Sequence, residues 1–191
     1  ATVGFHARKS DAIIPVPNCI LVTPALAAVA PLAEALAQVG TSRKAELSVT
    51  VTDSIEGLDV SVTGGKPLDG PLRIALAGLC ETYRLARLTW ADELIGMRIP
   101  PAQAIGAARV VPPPGAFLQA TQHGQDTLTA LVQDVVGDAK SVVDLFSGCG
   151  TFALPMAARA EVLAVETAPQ MVAAMDAGWR HAQGLKLVRG L

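Results

Sequence analysis

Two hydrophobic periods run along this chain and change at identifiable points. From Glu46 to Thr63 the period is two: Leu47, Val49 and Val51 alternate with Ser48, Thr50 and Thr52, and Leu58, Val60 and Val62 alternate with Asp59 and Ser61. Alternation puts the apolar side chains on one face of each strand, so the two runs joined through "SIEG" predict a β-hairpin. Before it, Leu26, Val29, Leu32, Leu36 and Val39 recur at helical spacing. Thr23 is placed to cap that helix, Pro24 to open it, and Gly40 to end it. Pro31 inside the stripe predicts a kink or a split in two. Short strands are expected at residues 3–8 and 12–16, around a polar turn. After the loop "GGKPLDG", Pro71 opens a helix whose one face carries Leu72, Ala75, Leu76, Leu79, Cys80 and Tyr83, and residues 87–90 read as a strand.

Pro112, Pro113 and Pro114 donate no backbone hydrogen bonds and force an extended chain, so a boundary is placed there. Residues 1–111 then form an α+β region and residues 112–191 a second unit. The second begins with an amphipathic helix over 127–136, stopped by Gly137. Next come a buried strand (142–146), a helix (152–158), a strand (161–165), a helix (169–181) and a strand (185–188). Strand, helix, strand, helix, strand with short links is one wound half of a parallel α/β sheet.

Composition narrows the function classes. The 191 residues are 51% hydrophobic and 17% charged, as in a globular protein with a core of its own. A net charge of -2 and a pI near 5.9 supply no bulk attraction for nucleic acid. The basic residues, among them Arg43, Lys44, Arg73, Arg84, Arg87, Arg98 and Arg109, are scattered and interrupted by acids. Three distant cysteines make no disulfide framework and fit a reducing compartment. The apolar run over 20–33 is too short for a membrane span and is broken by Pro24 and Pro31. With no basic-then-apolar leader, the expectation is a cytoplasmic protein that does not enter a membrane. The opening Ala, followed almost at once by a strand-like segment, gives the appearance of a start inside a longer protein.

The densest chemistry lies in "SVVDLFSGCGTFALPMAARAEVLAVE", residues 141–166. Gly148 and Gly150 follow a strand and precede a helix, where glycine lets the backbone approach a ligand and the helix N-terminus offers N–H donors. Glu166 ends the next strand, where its carboxylate can accept from the hydroxyls of a ribose. This pattern points to an adenosine-containing ligand, of which two kinds share it. Gly148, Gly150 and Ala153 satisfy a dinucleotide fingerprint formally. Asp144, four residues before Gly148, would repel a pyrophosphate and attract the sulfonium and ammonium of S-adenosylmethionine, so the methyl donor is favoured. A glycine turn that binds nothing stays as the bland alternative.

These motifs resemble those of the class I S-adenosylmethionine-dependent RNA uracil-5 methyltransferases. "DLFSGCGTFALPMA" followed by "VLAVE" is similar to the family's first two cofactor motifs, and "PPGAFLQAT" to its Phe-x-Gln segment. "VGFHARKSDAIIPVPNC" is similar to the segment supplying its last iron–sulfur cysteine. The resemblance implies a partial Rossmann-like methyltransferase sheet behind a smaller α+β central region. It implies that Gln119, Phe146 and Glu166 contact the donor beside Gly148 and Gly150, with Thr151 standing where many members carry Asn. Cys19 matches the fourth ligand of a [4Fe–4S] cluster in members that have one, the other three lying upstream; alone in this chain it reads as a free thiol.

The family's reaction adds a cysteine thiolate to C6 of a flipped-out uracil, so that C5 can take the methyl group before a base removes its proton. The resemblance places that cysteine and base beyond Leu191. The chain is therefore expected to hold no catalytic residue, to act on RNA (ribosomal RNA favoured over tRNA) only as part of a longer enzyme, and to be inactive alone. An NAD-linked oxidoreductase and a non-catalytic RNA- or partner-binding module stand as alternatives. Cys149 reads as loop filler and not as a nucleophile, and Cys80 as a buried thiol. His6 and His123 have no partners at metal spacing, His181 near a helix C-terminus reads as a dipole partner, and Asp92 with Glu93 reads as a solvated turn.

Overall fold

A computed structural model of the chain describes residues 2–42 and 45–191. Arg43 and Lys44, counted above among the scattered basic residues, lie outside the described residues. The fold has two compact units, Ala1–Pro101 and Ala102–Leu191.

In the first unit, β1 (Phe5–His6) and β2 (Ile13–Ile14) form a short antiparallel ladder. The helical stripe is split, as its proline predicts, into α1 (Pro24–Ala27) and α2 (Ala30–Gly40). Pro31 sits in the first turn of α2, where a missing N–H costs nothing, and the Thr23 hydroxyl accepts from the Leu26 N–H at 3.4 Å. The hairpin is β3 (Ser48–Ser54) and β4 (Gly57–Thr63). Helix α3 (Gly70–Thr82), capped by Asp69 on the Leu72 N–H at 2.8 Å, leads to β5 (Arg87–Trp90), which pairs parallel with β4.

A further strand, β6 (Glu93–Met97), completes the sheet order β3-β4-β5-β6. Glu93 therefore belongs to a strand, paired opposite Trp90, and not to a solvated turn; Ala91, at φ 51°, turns the chain before it. Leu32 and Leu36 of α2 and Leu72 and Leu76 of α3 cover Val60, Val62, Leu88 and Trp90 on one sheet face. The Trp90 ring lies against Gly40 and Gly65, and its Nε1–H donates to the Lys66 carbonyl at 2.9 Å. Asp59 and Arg87, opposite each other in the β4–β5 register, form a buried two-point ion pair at 2.8 and 2.6 Å.

The second unit starts ahead of the proline run, with the hairpin β7 (Gln103–Ile105) and β8 (Ala108–Val110). Then come α4 (Gln122–Val136), β9 (Ser141–Leu145), α5 (Ala153–Met156), β10 (Glu161–Val165), α6 (Pro169–His181) and β11 (Val188–Gly190). The hairpin belongs here because α6 packs on it: Gly178 is small enough to sit against Val110. Helix α4 begins five residues earlier than the apolar stripe alone predicts, because Thr121 caps it on the Gly124 N–H at 3.0 Å. Helix α5 is only four residues long.

Strands β9, β10 and β11 are parallel, in the order β11-β10-β9. The fold is thus α/β, with a Rossmann-like half-sheet in the second unit. Contrary to its reading as a buried strand, β9 is an edge strand among the described residues. Val142 packs on the core, while Val143 and Leu145 on its other face are exposed. The core joins Ala153 and Leu154 to Val162, Ala164, Met175 and Val188. No helix among the described residues is long and apolar enough to cross a membrane.

Candidate cofactor site

The site is built where β9 and β10 end. Phe146, Ser147 and Gly148 carry the chain out of β9, and the Ser147 N–H bonds the Val165 carbonyl at 3.1 Å, clamping the two strand ends together. The loop then turns tightly. Gly148 and Gly150 have φ of 55° and 90°, and the Gly150 N–H closes onto the Ser147 carbonyl at 2.8 Å. Gly150 packs directly against Leu154 and Met175, whereas a Cβ at Gly148 would meet only Met171 Cε, at 4.0 Å. Both glycines are therefore required, one by packing and conformation, the other by conformation.

Phe146 is the unusual residue. It adopts φ 60°, a left-handed conformation that a bulky side chain rarely takes, and its ring is 87% exposed. Strain combined with solvent exposure of a large apolar ring has no packing explanation within the loop.

Glu166 ends β10 and reaches back across the loop. Its Oε2 accepts from the Gly148 N–H at 3.0 Å; its Oε1 accepts from the Ala168 N–H at 2.9 Å and the Thr167 hydroxyl at 3.3 Å. These donors, led by the Ala168 and Gly148 N–H groups, hold the carboxyl below the usual glutamate range. Ala168 is the N-cap of α6 without a side-chain cap of its own, so Glu166 also anchors the start of that helix.

Asp144 is half-buried. Burial pushes its carboxyl up from the ordinary range, with the Ala153 N–H at the start of α5 pulling the other way. Two buried side-chain polar atoms among the described residues lack a hydrogen-bond partner, Asp144 Oδ2 and Ser147 Oγ, and both fall within this one four-residue stretch. Unpaired buried polar atoms are uncommon in folded proteins. Thr151, half-buried, follows Gly150 in the turn that opens α5. Gln119, half-buried, lies on the extended segment between the prolines and the Thr121 cap; no described hydrogen bond ties it to the loop. Ser147, Thr167 and Ala168 were not singled out from sequence. Ser147 lies inside the quoted glycine motif but was not assigned a role there, and Ala168 takes part through its backbone.

Cys149 lies beneath the loop, buried, with its Sγ 3.2 Å from Met171 Sδ. Burial, and secondarily the Glu166 charge, push its thiol up to about 11. At pH 8 the reactive thiolate is then on the order of one part in a thousand. Iodoacetamide at that pH should leave Cys149 untouched in the folded chain and modify it in urea, as read by peptide mass spectrometry. Rapid native alkylation would show that the loop opens. Cys19, in the first unit, is a half-buried free thiol, and no group of three or more His, Cys, Asp or Glu among the described residues is placed to hold a metal. Four ligands are needed for a [4Fe–4S] cluster. The described residues do not fit one by themselves.

No protein-family model matches the chain. It is 38% identical over 190 residues to an uncharacterized RNA methyltransferase of Mesorhizobium japonicum, covering 98% of this chain and 46% of the relative. It is 30% identical over 183 residues to the 23S rRNA (uracil(1939)-C(5))-methyltransferase RlmD of Shewanella woodyi, covering 90% of this chain and 41% of that protein. The chain thus spans about half the length of the curated relatives it matches. Among solved structures, the Pyrococcus abyssi tRNA (uracil-54, C5)-methyltransferase in complex with S-adenosyl-L-homocysteine superposes with a TM-score of 0.54 at 13% identity. The match covers 75% of this chain and 38% of that one, a likeness of fold.

Proposed function

We infer that the chain is part of a class I, S-adenosylmethionine-dependent RNA methyltransferase, and we propose that the whole enzyme methylates C5 of uridine, with ribosomal RNA favoured over tRNA. Its relatives' names support the RNA and uracil-C5 assignments. The observation that carries the donor assignment is the unpartnered, half-buried Asp144 carboxylate oxygen beside a glycine loop whose next strand ends in Glu166.

The sign of the charge decides between ligands. At an effective dielectric of about 20, a cation about 4 Å from a carboxylate gains roughly 4 kcal/mol, and an anion loses as much. A sulfonium or ammonium therefore suits the Asp144 environment, and a pyrophosphate does not. In this reading the methyl donor supplies an electrophilic methyl on a cationic sulfur. Asp144 balances the positive charge, Glu166 accepts from the ribose, and the exposed Phe146 ring packs against the bound nucleoside. Gly148 and Gly150 keep side chains out of the way, with Thr151 and Gln119 as further polar contacts.

Neither Cys149 nor Cys80 suits attack on a pyrimidine: Cys149 is buried and protonated, and Cys80 is half-buried on α3 with its thiol pushed up mainly by burial. We expect the nucleophile to come from sequence outside this chain, and the chain alone to transfer no methyl group. The test is calorimetric. S-adenosylmethionine should bind and NADH should not, and Asp144→Asn should weaken S-adenosylmethionine by about tenfold more than the uncharged-sulfur product S-adenosylhomocysteine. Equal losses for the two ligands, or tighter NADH binding, would reject the assignment.

A further inference from the structure

Glu166 does more in this structure than end a strand. A carboxylate has about four lone-pair sites, and three are already committed inside the protein: Oε1 to the Ala168 N–H and the Thr167 hydroxyl, Oε2 to the Gly148 N–H. The Gly148 bond is the informative one. Around Gly148 the packing is loose, an added Cβ meeting only Met171 Cε at 4.0 Å, so little packing holds it in its left-handed conformation. The Gly150 turn, by contrast, is fixed from below by Leu154 and Met175 and from within by its bond to Ser147. The half of the loop with the looser packing is the half that Glu166 grips.

We propose that Glu166 is a positioning residue for the glycine loop, holding Gly148 in place before any ligand arrives, so that a nucleoside adds to this bond and does not replace it. Oε2 keeps one lone pair for a ribose hydroxyl. The second hydroxyl finds room at Oε1 when the exposed Thr167 side chain, the longest of the three contacts, turns away. The loop is thus shaped in advance, which lowers the ordering cost of binding. The ligand part of this proposal rests on the donor-site reading above; the loop part does not.

Two measurements on the 191-residue chain test it. In ligand-free protein, Glu166→Gln leaves one oxygen to serve N–H groups that now need two. Hydrogen exchange at the Gly148 amide should accelerate on the order of tenfold, while the Gly150 amide, bonded to Ser147, stays protected and reports that the fold is intact. An unchanged Gly148 rate would overturn the proposal. The second measurement compares adenosine with 2′,3′-dideoxyadenosine. If Glu166 shapes the loop, Glu166→Gln weakens both ligands. A loss confined to adenosine would make the residue a ribose acceptor only and would also overturn the proposal. Should neither nucleoside bind the unsubstituted chain, the donor-site reading fails, and the exchange result alone decides the role of Glu166.

Discussion

Arg87→Met is expected to cost the first unit about 3–5 kcal/mol, because it strands the Asp59 carboxylate inside the sheet. Both side chains of this pair are under a tenth exposed, and they meet at two points, 2.8 and 2.6 Å. A charge removed from water and then deprived of its partner pays the whole desolvation cost, far more than a surface pair is worth. The double substitution Asp59→Leu with Arg87→Met should be much milder, since it removes both charges together. Each unit holds one tryptophan, Trp90 in the first and Trp179 in the second, so Trp179→Phe leaves Trp90 as the reporter. Urea unfolding followed by Trp90 emission should place the single substitution well below the double one. Equal midpoints would show that the pair is not the constraint argued here.

Gly150→Ala is the second large effect, expected to destabilise the second unit by about 2–4 kcal/mol, through overpacking and a strained backbone together. A Cβ there would stand 2.7 Å from Met175 Cγ and 2.9 Å from Leu154 Cγ, on a backbone at φ 90°. Both neighbours belong to the buried core, so neither can swing into solvent. Gly148→Ala is the matched control. Its Cβ meets nothing closer than Met171 Cε at 4.0 Å, and φ is 55°, which leaves only the left-handed penalty of about 1–2 kcal/mol. With Trp90→Phe made silent and Trp179 as reporter, Gly150→Ala should unfold at clearly lower urea than Gly148→Ala. The reverse order would mean that the loop, not the packing below it, limits stability.

What could be read from sequence follows the strength of each local signal. The hairpin β3–β4 and helices α2, α3 and α6 stand close to where their periods place them, since seven or more residues of one period leave little choice. Pro31 split its helix as expected. Strands β6, β7 and β8 were invisible because they are three to five residues long and lack alternation; β6 carries Gly96, and β7 and β8 are set by pairing with each other. Strand β11 begins at Val188, the last residue of the apolar run that suggested it. Its register is chosen by β10, with Val188 opposite Val162, while Leu185 packs on the core from outside the strand. In the site, the positions of Gly148, Gly150 and Glu166 were legible because spacing dictates them. The bond between Gly148 and Glu166 was not, because it joins residues 18 apart, and no local pattern encodes which lone pair meets which amide.

The left-handed backbone of Phe146 bears on how this protein can be improved. Glycine at that position would relax the backbone by about 1–2 kcal/mol and remove an exposed apolar ring. A library screened only for heat resistance should therefore converge on Phe146→Gly, and with it discard the aromatic ring that the proposed donor site would use. Endurance and grip pull this one residue in opposite directions, so any stabilised version must be screened for nucleoside affinity in the same round.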